Sequence, residues 1–327
     1  MKHAASALAL VIVSLAISLL GAEIVLRVKN SSMKNYDIEM WRYAKELKRR
    51  SDDPDISFDH VRSKSALLQG VDVRLNEHGL RGGPLQPSAP GERRILFLGG
   101  SIALGWGVAE NETVEARLER MLRSAGMDAR VLNAGVGNYN TVRYVTRFFK
   151  ELKETDPTDI VVLFFLRDAE DLPPDSGNFA LRTSELAVTL WIAYHRLFDR
   201  SGEGSLVDHY REAYRPDAPG FLRMKEKLRE LADFARARNI NCYLAMTPDI
   251  HNVVDYRLGF VHDTMREVAA EYGYAYIDLL PALAGRRPQD LFAMPGDPHP
   301  NALGHQLMAE AIFPVISRDA TDGEKSR

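Results

Sequence analysis

A serine hydroxyl, an imidazole and a carboxylate are the parts of an acyl-transfer site. The hydroxyl attacks, the imidazole takes its proton, and the carboxylate orients the imidazole. Ser101 follows Ile95-Leu96-Phe97-Leu98-Gly99-Gly100, four apolar residues leading into two glycines. Asp297 and His299 stand two residues apart in Gly296-Asp297-Pro298-His299-Pro300-Asn301, where a proline on each side of the histidine stiffens the loop. A serine at a strand-to-helix turn is most often a cap, and a single histidine is most often structural. The pairing of His299 with Asp297 shifts the balance toward Ser101 as a nucleophile. His251 and His305 lack such a setting. Asp297, His299 and His305 include metal-ligating types, but no second cluster at ligand spacing completes them, so neither metal nor cofactor is expected.

An alternating α/β pattern would bring these residues together. Strands are expected at 95–98, 130–132, 159–165, 241–246 and 274–278. Helices are expected near 112–125, 139–154, 221–238 and 258–272, with a last one from an Asn301 N-cap to about residue 317. The unbroken apolar run Ile160-Val161-Val162-Leu163-Phe164-Phe165 suits a central parallel strand covered on both faces. Five strands alternating with helices predict an α/β fold, one doubly wound parallel sheet. All carboxyl ends then face one edge, where open α/β sheets bind ligands. That edge collects Ser101, Asn133-Ala134-Gly135-Val136-Gly137-Asn138, Arg167-Asp168, Thr247-Pro248-Asp249 and the Asp297–His299 loop. Pro173-Pro174, Gly177 and Gly202-Glu203-Gly204 mark loops around a helix at 184–200. This insertion, 172–220, reads equally as a lid over the strand ends or as a surface hairpin.

The 327 residues are 45% hydrophobic and 27% charged, as in ordinary globular proteins, and the net charge of -3 gives no reason to expect nucleic acid. The one cysteine, Cys242, sits in an apolar run and is expected to be buried and inert. Residues 4–22 carry no charge. About 19 such residues at about 1.5 Å each nearly span a hydrocarbon core of roughly 30 Å. An uncleaved anchor is favoured over a cleaved signal, because Leu19-Leu20-Gly21-Ala22 fits a small-x-small cleavage site poorly. Arg27, Lys29 and Lys34 after the span would by charge alone place the following chain in the cytoplasm. The expected organisation is a membrane anchor at 1–27, a polar linker and irregular lead-in at 28–93, a main domain at 94–317 carrying the insertion, and a polar tail at 318–327. The lead-in is expected to hold a helix at 36–50 and a short strand, Val71-Asp72-Val73-Arg74-Leu75.

Gly99-Gly100-Ser101-Ile102-Ala103 nearly matches the G-x-S-x-G elbow, but Ala103 replaces its last glycine. Gly99, Gly100, Gly105 and Gly107 do not keep dinucleotide-loop spacing. Residues 94–317 instead resemble the SGNH (GDSL) hydrolase superfamily, block by block. Phe97-Leu98-Gly99-Gly100-Ser101 is similar to the nucleophile block, with Gly100 where Asp is usual. Asn133-Ala134-Gly135-Val136-Gly137-Asn138-Tyr139-Asn140-Thr141 is similar to the second block, whose backbone N–H, here at Gly137 or Asn138, helps form the oxyanion hole. Asp297-Pro298-His299-Pro300-Asn301 with Gly304-His305 is similar to the last block, carrying the catalytic Asp and His. In the third block Arg167 stands where the family has an oxyanion-binding asparagine. Arginine also donates, but its longer charged fork would not occupy the same place. The resemblance implies a flavodoxin-like sheet, a Ser101-His299-Asp297 triad, and an oxyanion hole from Gly137, Asn138 and Arg167.

Three further stretches look similar to membrane-anchored SGNH proteins of bacterial exopolysaccharide systems: Met40-Trp41-Arg42-Tyr43-Ala44, Asn76-Glu77-His78-Gly79-Leu80-Arg81-Gly82, and Arg167-Asp168-Ala169-Glu170. That similarity implies a serine esterase or O-acyltransferase for ester groups, chiefly O-acetyl, of an extracytoplasmic polysaccharide. It implies a single-pass protein of the cell inner membrane, with a periplasmic catalytic domain working beside exopolysaccharide biosynthesis machinery. The Arg167 departure keeps a second reading open, a catalytically inactive polysaccharide-binding or assembly protein on the same scaffold.

Overall fold

The run Ile95-Leu96-Phe97-Leu98 has no solvent exposure at any position, which demands cover on both faces of its strand. The computed structural model of the chain describes residues 2–32, 35–173, 179–198, 203–295, 297 and 299–325. Strands β1 (Arg93–Gly99), β2 (Ala129–Asn133), β3 (Asp159–Phe165), β4 (Asn241–Thr247) and β5 (Ala275–Asp278) form one parallel sheet in the order β2-β1-β3-β4-β5. The five expected strands are present, with ends shifted by a residue or two. Helices α1 (Val114–Ser124), α2 (Thr141–Arg147), α3 (Pro219–Arg238), α4 (Gly259–Tyr272) and α5 (Ala302–Lys325) flank the sheet. Successive strand side chains point to opposite faces. Ile95 and Phe97 therefore join Leu118 and Leu122 of α1 and Met308, Ile312 and Ile316 of α5. Leu96 and Leu98 join Val145 of α2, Leu228 of α3 and Met265 of α4. Each such side chain contributes about 1.5–3 kcal/mol by leaving water, an upper estimate against an extended chain.

Several boundaries differ from the sequence expectation. The helix expected at 36–50 stops at Leu47, because Lys48–Arg50 pairs antiparallel with Phe58–His60. The lead-in also holds a hairpin, Lys64–Leu68 with Val71–Leu75, tied to the end of β2 by an antiparallel bridge between Arg81 and Asn133. The helix expected at 139–154 is regular only over α2. It continues as a π-helical turn, Phe148–Leu152, and a 3-10 turn, Lys153–Thr155. Phe148 and Phe149 both pack edge-on against Phe234 with centroids at 5.3 Å, and the wider turn turns consecutive rings toward one partner. The last helix runs on to Lys325, past the expected stop.

The chain groups into two compact units, Met1–Glu46 with Asp175–Arg200, and Leu47–Pro174 with Ser201–Arg327. The 172–220 insertion is thus divided between them. In the first unit, Lys2–Ser32 is one helix, and its stretch Ala5–Asn30, whose most apolar 18 residues have mean hydropathy 2.5, is long and apolar enough to cross a membrane. A membrane anchor and a signal sequence both have this form. Lys34, Pro174, Gly177, Arg200, Gly202, Gly296 and Pro298, named above, lie outside the described residues.

Candidate active site

The chain turns outward from β1 in opposite directions toward β2 and β3, so the carboxyl end of β1 is the switch point of the sheet. Ser101 sits there, opening the short helix Ser101–Leu104. Gly105 ends that helix with φ +74, where a side chain would be strained. The segment after β2 continues the pairing: the Ala134 N–H donates to Phe97 O at 2.9 Å and the Val136 N–H to Gly99 O at 3.2 Å. Gly135 is required by proximity, since a Cβ there would lie 2.1 Å from the Leu104 nitrogen. Asn133 completes the lock, donating from Nδ2 to Ala103 O at 2.7 Å and accepting from the Gly135 N–H at 3.0 Å.

Asn301 accepts from the Leu303 and Gly304 amides at 3.0 and 3.1 Å, which starts α5 as its sequence predicts. The residues before it pair back on the chain, with the Ala293 N–H on His299 O at 2.8 Å and the Asn301 N–H on Leu291 O at 2.7 Å. His299 is thereby fixed beside Asp297. The His299 amide reaches Asp297 Oδ1 at 3.0 Å, its Nδ1 reaches the same oxygen at 2.5 Å, and its Nε2 lies 2.7 Å from Ser101 Oγ. An Nδ1–H donated to the carboxylate leaves Nε2 as the acceptor of the Ser101 hydroxyl proton. Asp297 has no exposed surface. Burial pushes its carboxyl up, but the hydrogen bonds and charge of His299, with Gln69, outweigh this and hold it below the usual carboxylate range. The Trp106 ring lies tilted 6.4 Å from the His299 ring.

The Tyr139 N–H closes a turn on Val136 O at 3.1 Å. Within that turn Asn138 has φ +67 and Gly137 does not have positive φ, so asparagine takes the left-handed position that it tolerates better than most residues. Lys48 Nζ donates to Gly137 O at 2.7 Å and Arg143 Nη1 to Asn138 O at 2.9 Å. In a planar trans peptide the N–H opposes the carbonyl, so the Lys48 contact also fixes where the Asn138 N–H points. Arg167 lies in the 3-10 turn Leu166–Ala169 after β3. Its side chain is 49% exposed, with Nε 3.4 Å from Glu170 Oε2. Among the described residues no hydrogen bond or ion pair joins Arg167 to Ser101, His299 or Asp297.

His305 is buried apart from this group and accepts from the Val114 N–H at 3.0 Å. Burial, then the charges of Arg81 and Arg117, push its imidazole down to about 3. His251 pairs with Asp249 at 2.7 Å, and that hydrogen bond pushes its imidazole up. Among the described residues no group of three or more His, Cys, Asp or Glu has the arrangement to hold a metal ion.

Two contributing residues come from the lead-in. Gln69, at φ +52 in the hairpin turn, donates from Nε2 to Asp297 Oδ2 at 3.2 Å. Buried Arg81 donates from Nη1 to Leu104 O and Gly105 O and from Nη2 to Val108 O, each at 2.6 Å. It thereby clamps the loop that carries Trp106. Arg81 belongs to a stretch singled out for its resemblance, with no role attached. Gln69 precedes a glycine in a hairpin turn, and that local pattern carries no sign of a distant carboxylate.

Residues 97–307 match the GDSL-like lipase/acylhydrolase family. No curated protein matches the chain. Solved structures to which it is similar include that of TesA, at 19% identity over 68% of this chain and 97% of that one, with a TM-score of 0.43. They also include the acetyl xylan esterase AlAXEase, at 15% identity over 68% and 99% with a TM-score of 0.43. A third is the psychrotrophic esterase EstA from Pseudoalteromonas sp., at 14% identity over 70% and 99% with a TM-score of 0.45.

Proposed function

The chain belongs to the GDSL-like lipase/acylhydrolase family, and from that premise we propose that it is a serine esterase or O-acyltransferase working through Ser101, His299 and Asp297. The observation that carries the reading is the unbroken line from Ser101 Oγ to His299 Nε2 at 2.7 Å and from His299 Nδ1 to Asp297 Oδ1 at 2.5 Å. As Ser101 Oγ bonds to the ester carbonyl carbon, its proton passes to Nε2 and the carbonyl π electrons move onto oxygen. Asp297 stabilises the imidazolium so formed. Collapse of the tetrahedral adduct breaks the bond to the leaving alkoxide, which takes the proton from Nε2. Water or a sugar hydroxyl then repeats the sequence on the acyl-serine, giving hydrolysis or acyl transfer.

The Ser101 N–H and the N–H of Gly137 or Asn138 are the proposed oxyanion donors. Arg167 would have to leave Glu170 to join them. The proposed substrate is an O-acetylated polysaccharide outside the cytoplasm, and the proposed site of action is the periplasmic face of the inner membrane with Lys2–Ser32 as a single-pass anchor. The motif similarities at 40–44, 76–82 and 167–170 and the apolar helix support that reading.

The test is hydrolysis of p-nitrophenyl acetate by the full chain in detergent, beside Ser101→Ala and His299→Ala. Each variant should lose at least about 10³-fold in kcat, and equal rates for all three would sink the triad. The O-acetyl content of the cell's polysaccharide with and without Ser101 tests the substrate. The pairing of Arg167 with Glu170 favours one other reading, a polysaccharide-binding or assembly protein. Polymer binding by a chain with no turnover would assign it.

A further inference from the structure

In the first unit, helix Glu185–Phe198 presents Leu190, Trp191, Tyr194 and Leu197 to solvent, with 62%, 50%, 60% and 78% of their surfaces exposed. Their spacing of i, i+1, i+4 and i+7 makes one stripe on a helix. Val188 is buried. Two leucines and two large aromatics in one exposed row mark an interaction surface.

The helix is joined at its start to the apolar N-terminal helix. Ser184 Oγ accepts from the Ala187 N–H at 3.0 Å and donates to Glu23 Oε2 at 2.8 Å. The Glu23 carboxylate also accepts from the amides of Glu185 and Leu186, both at 3.0 Å. Arg27 donates to Thr183 O at 3.0 Å, and Asn30 to Glu185 Oε2 at 2.8 Å. The Trp41 indole donates to Leu181 O. Glu23 is the first charged residue after the uncharged run 4–22, so the attachment lies where an anchor would leave the hydrocarbon. Fourteen residues extend about 21 Å at about 1.5 Å each, short of the roughly 30 Å needed to span. Tryptophan and tyrosine favour the headgroup level.

We propose that helix Glu185–Phe198 is an interfacial membrane helix, its Leu190, Trp191, Tyr194 and Leu197 face resting in the bilayer that Lys2–Ser32 crosses. A lipid surface is the partner because the helix that carries the stripe is joined at its start, through Glu23, to an apolar span whose most apolar residues are all unburied. This placement rests on the reading of Lys2–Ser32 as an uncleaved anchor.

The test uses the full chain reconstituted into phosphatidylcholine–phosphatidylglycerol vesicles, with and without bromine on the acyl chains. Wild type minus Trp191→Phe isolates the Trp191 fluorescence. Bromination should remove most of that difference signal, and a Leu190→Glu, Leu197→Glu pair should restore it. A chain that floats with the vesicles while its Trp191 signal ignores bromine overturns the proposal and leaves the anchor standing. An unquenched Trp191 whose helix cross-links to a second copy reassigns the face to self-association. A chain that does not float with the vesicles overturns anchor and interfacial helix together.

Discussion

Gln69→Leu separates a carboxylate held by one partner from a carboxylate held by two. Gln69 Nε2 reaches Asp297 Oδ2, the oxygen that His299 does not use, at 3.2 Å. Both residues are buried, so water does not replace the lost donor. A hydrogen bond to a charged group contributes about 1.5–3 kcal/mol, and a buried acceptor left unpaired costs a similar amount. The carboxyl of Asp297 is held low in the fold, so its contribution to stability is present in full above the unfolded pKa of about 3.9 and is lost as pH falls through the folded value. Removing one of the contacts that lower it raises the folded value. The gap between wild type and Gln69→Leu should therefore be about 1.5–3 kcal/mol near neutral pH and narrow as pH falls below about 4. Urea unfolding in detergent at about pH 7 and about pH 3 measures that gap. The same variant should lose kcat/KM on p-nitrophenyl acetate, because a less firmly held carboxylate stabilises the imidazolium less. An identical loss at both pH values, or none, would refute a role through the Asp297 charge.

Arg167→Leu should leave kcat on a small ester unchanged, since the guanidinium is engaged by Glu170; a fall of about 10²-fold or more in steady-state kcat would put it on the oxyanion. Glu115 is buried, and burial pushes its carboxyl up to about 8. A raised folded pKa gives stability that is complete below about 4.3 and lost as pH rises through 8, at up to about 1.4 kcal/mol per pH unit. Glu115→Gln should flatten that slope, so the stabilities of the two proteins should diverge between about pH 4.3 and pH 8; parallel behaviour across that range would contradict it.

The sheet was legible because its signals are local. Each strand is an apolar run of a few residues, and each helix repeats its apolar residues at helical spacing. Asn301 caps α5 through amides only two and three residues away. Asp297 and His299 are likewise a local pair. Ser101 and His299 are 198 positions apart, and their convergence followed from one rule, that parallel strands share a carboxyl edge. Residues outside such rules stayed hidden. Gln69 is 228 positions from Asp297, in a turn whose only local sign is a glycine. The 36–50 helix stops early because Lys48–Arg50 finds a strand partner in Phe58–His60, and pairing overrides a weak helix preference. Residue types and spacing thus determined by themselves that Ser101 follows a buried strand and that Asp297 and His299 form a pair. Only the tertiary structure decided that Gln69 holds the far side of Asp297, that Arg81 clamps the loop behind Ser101, and that Arg167 turns to Glu170. Long-range contacts and side-chain directions of this kind are set by packing across the fold, which no short stretch of chain encodes.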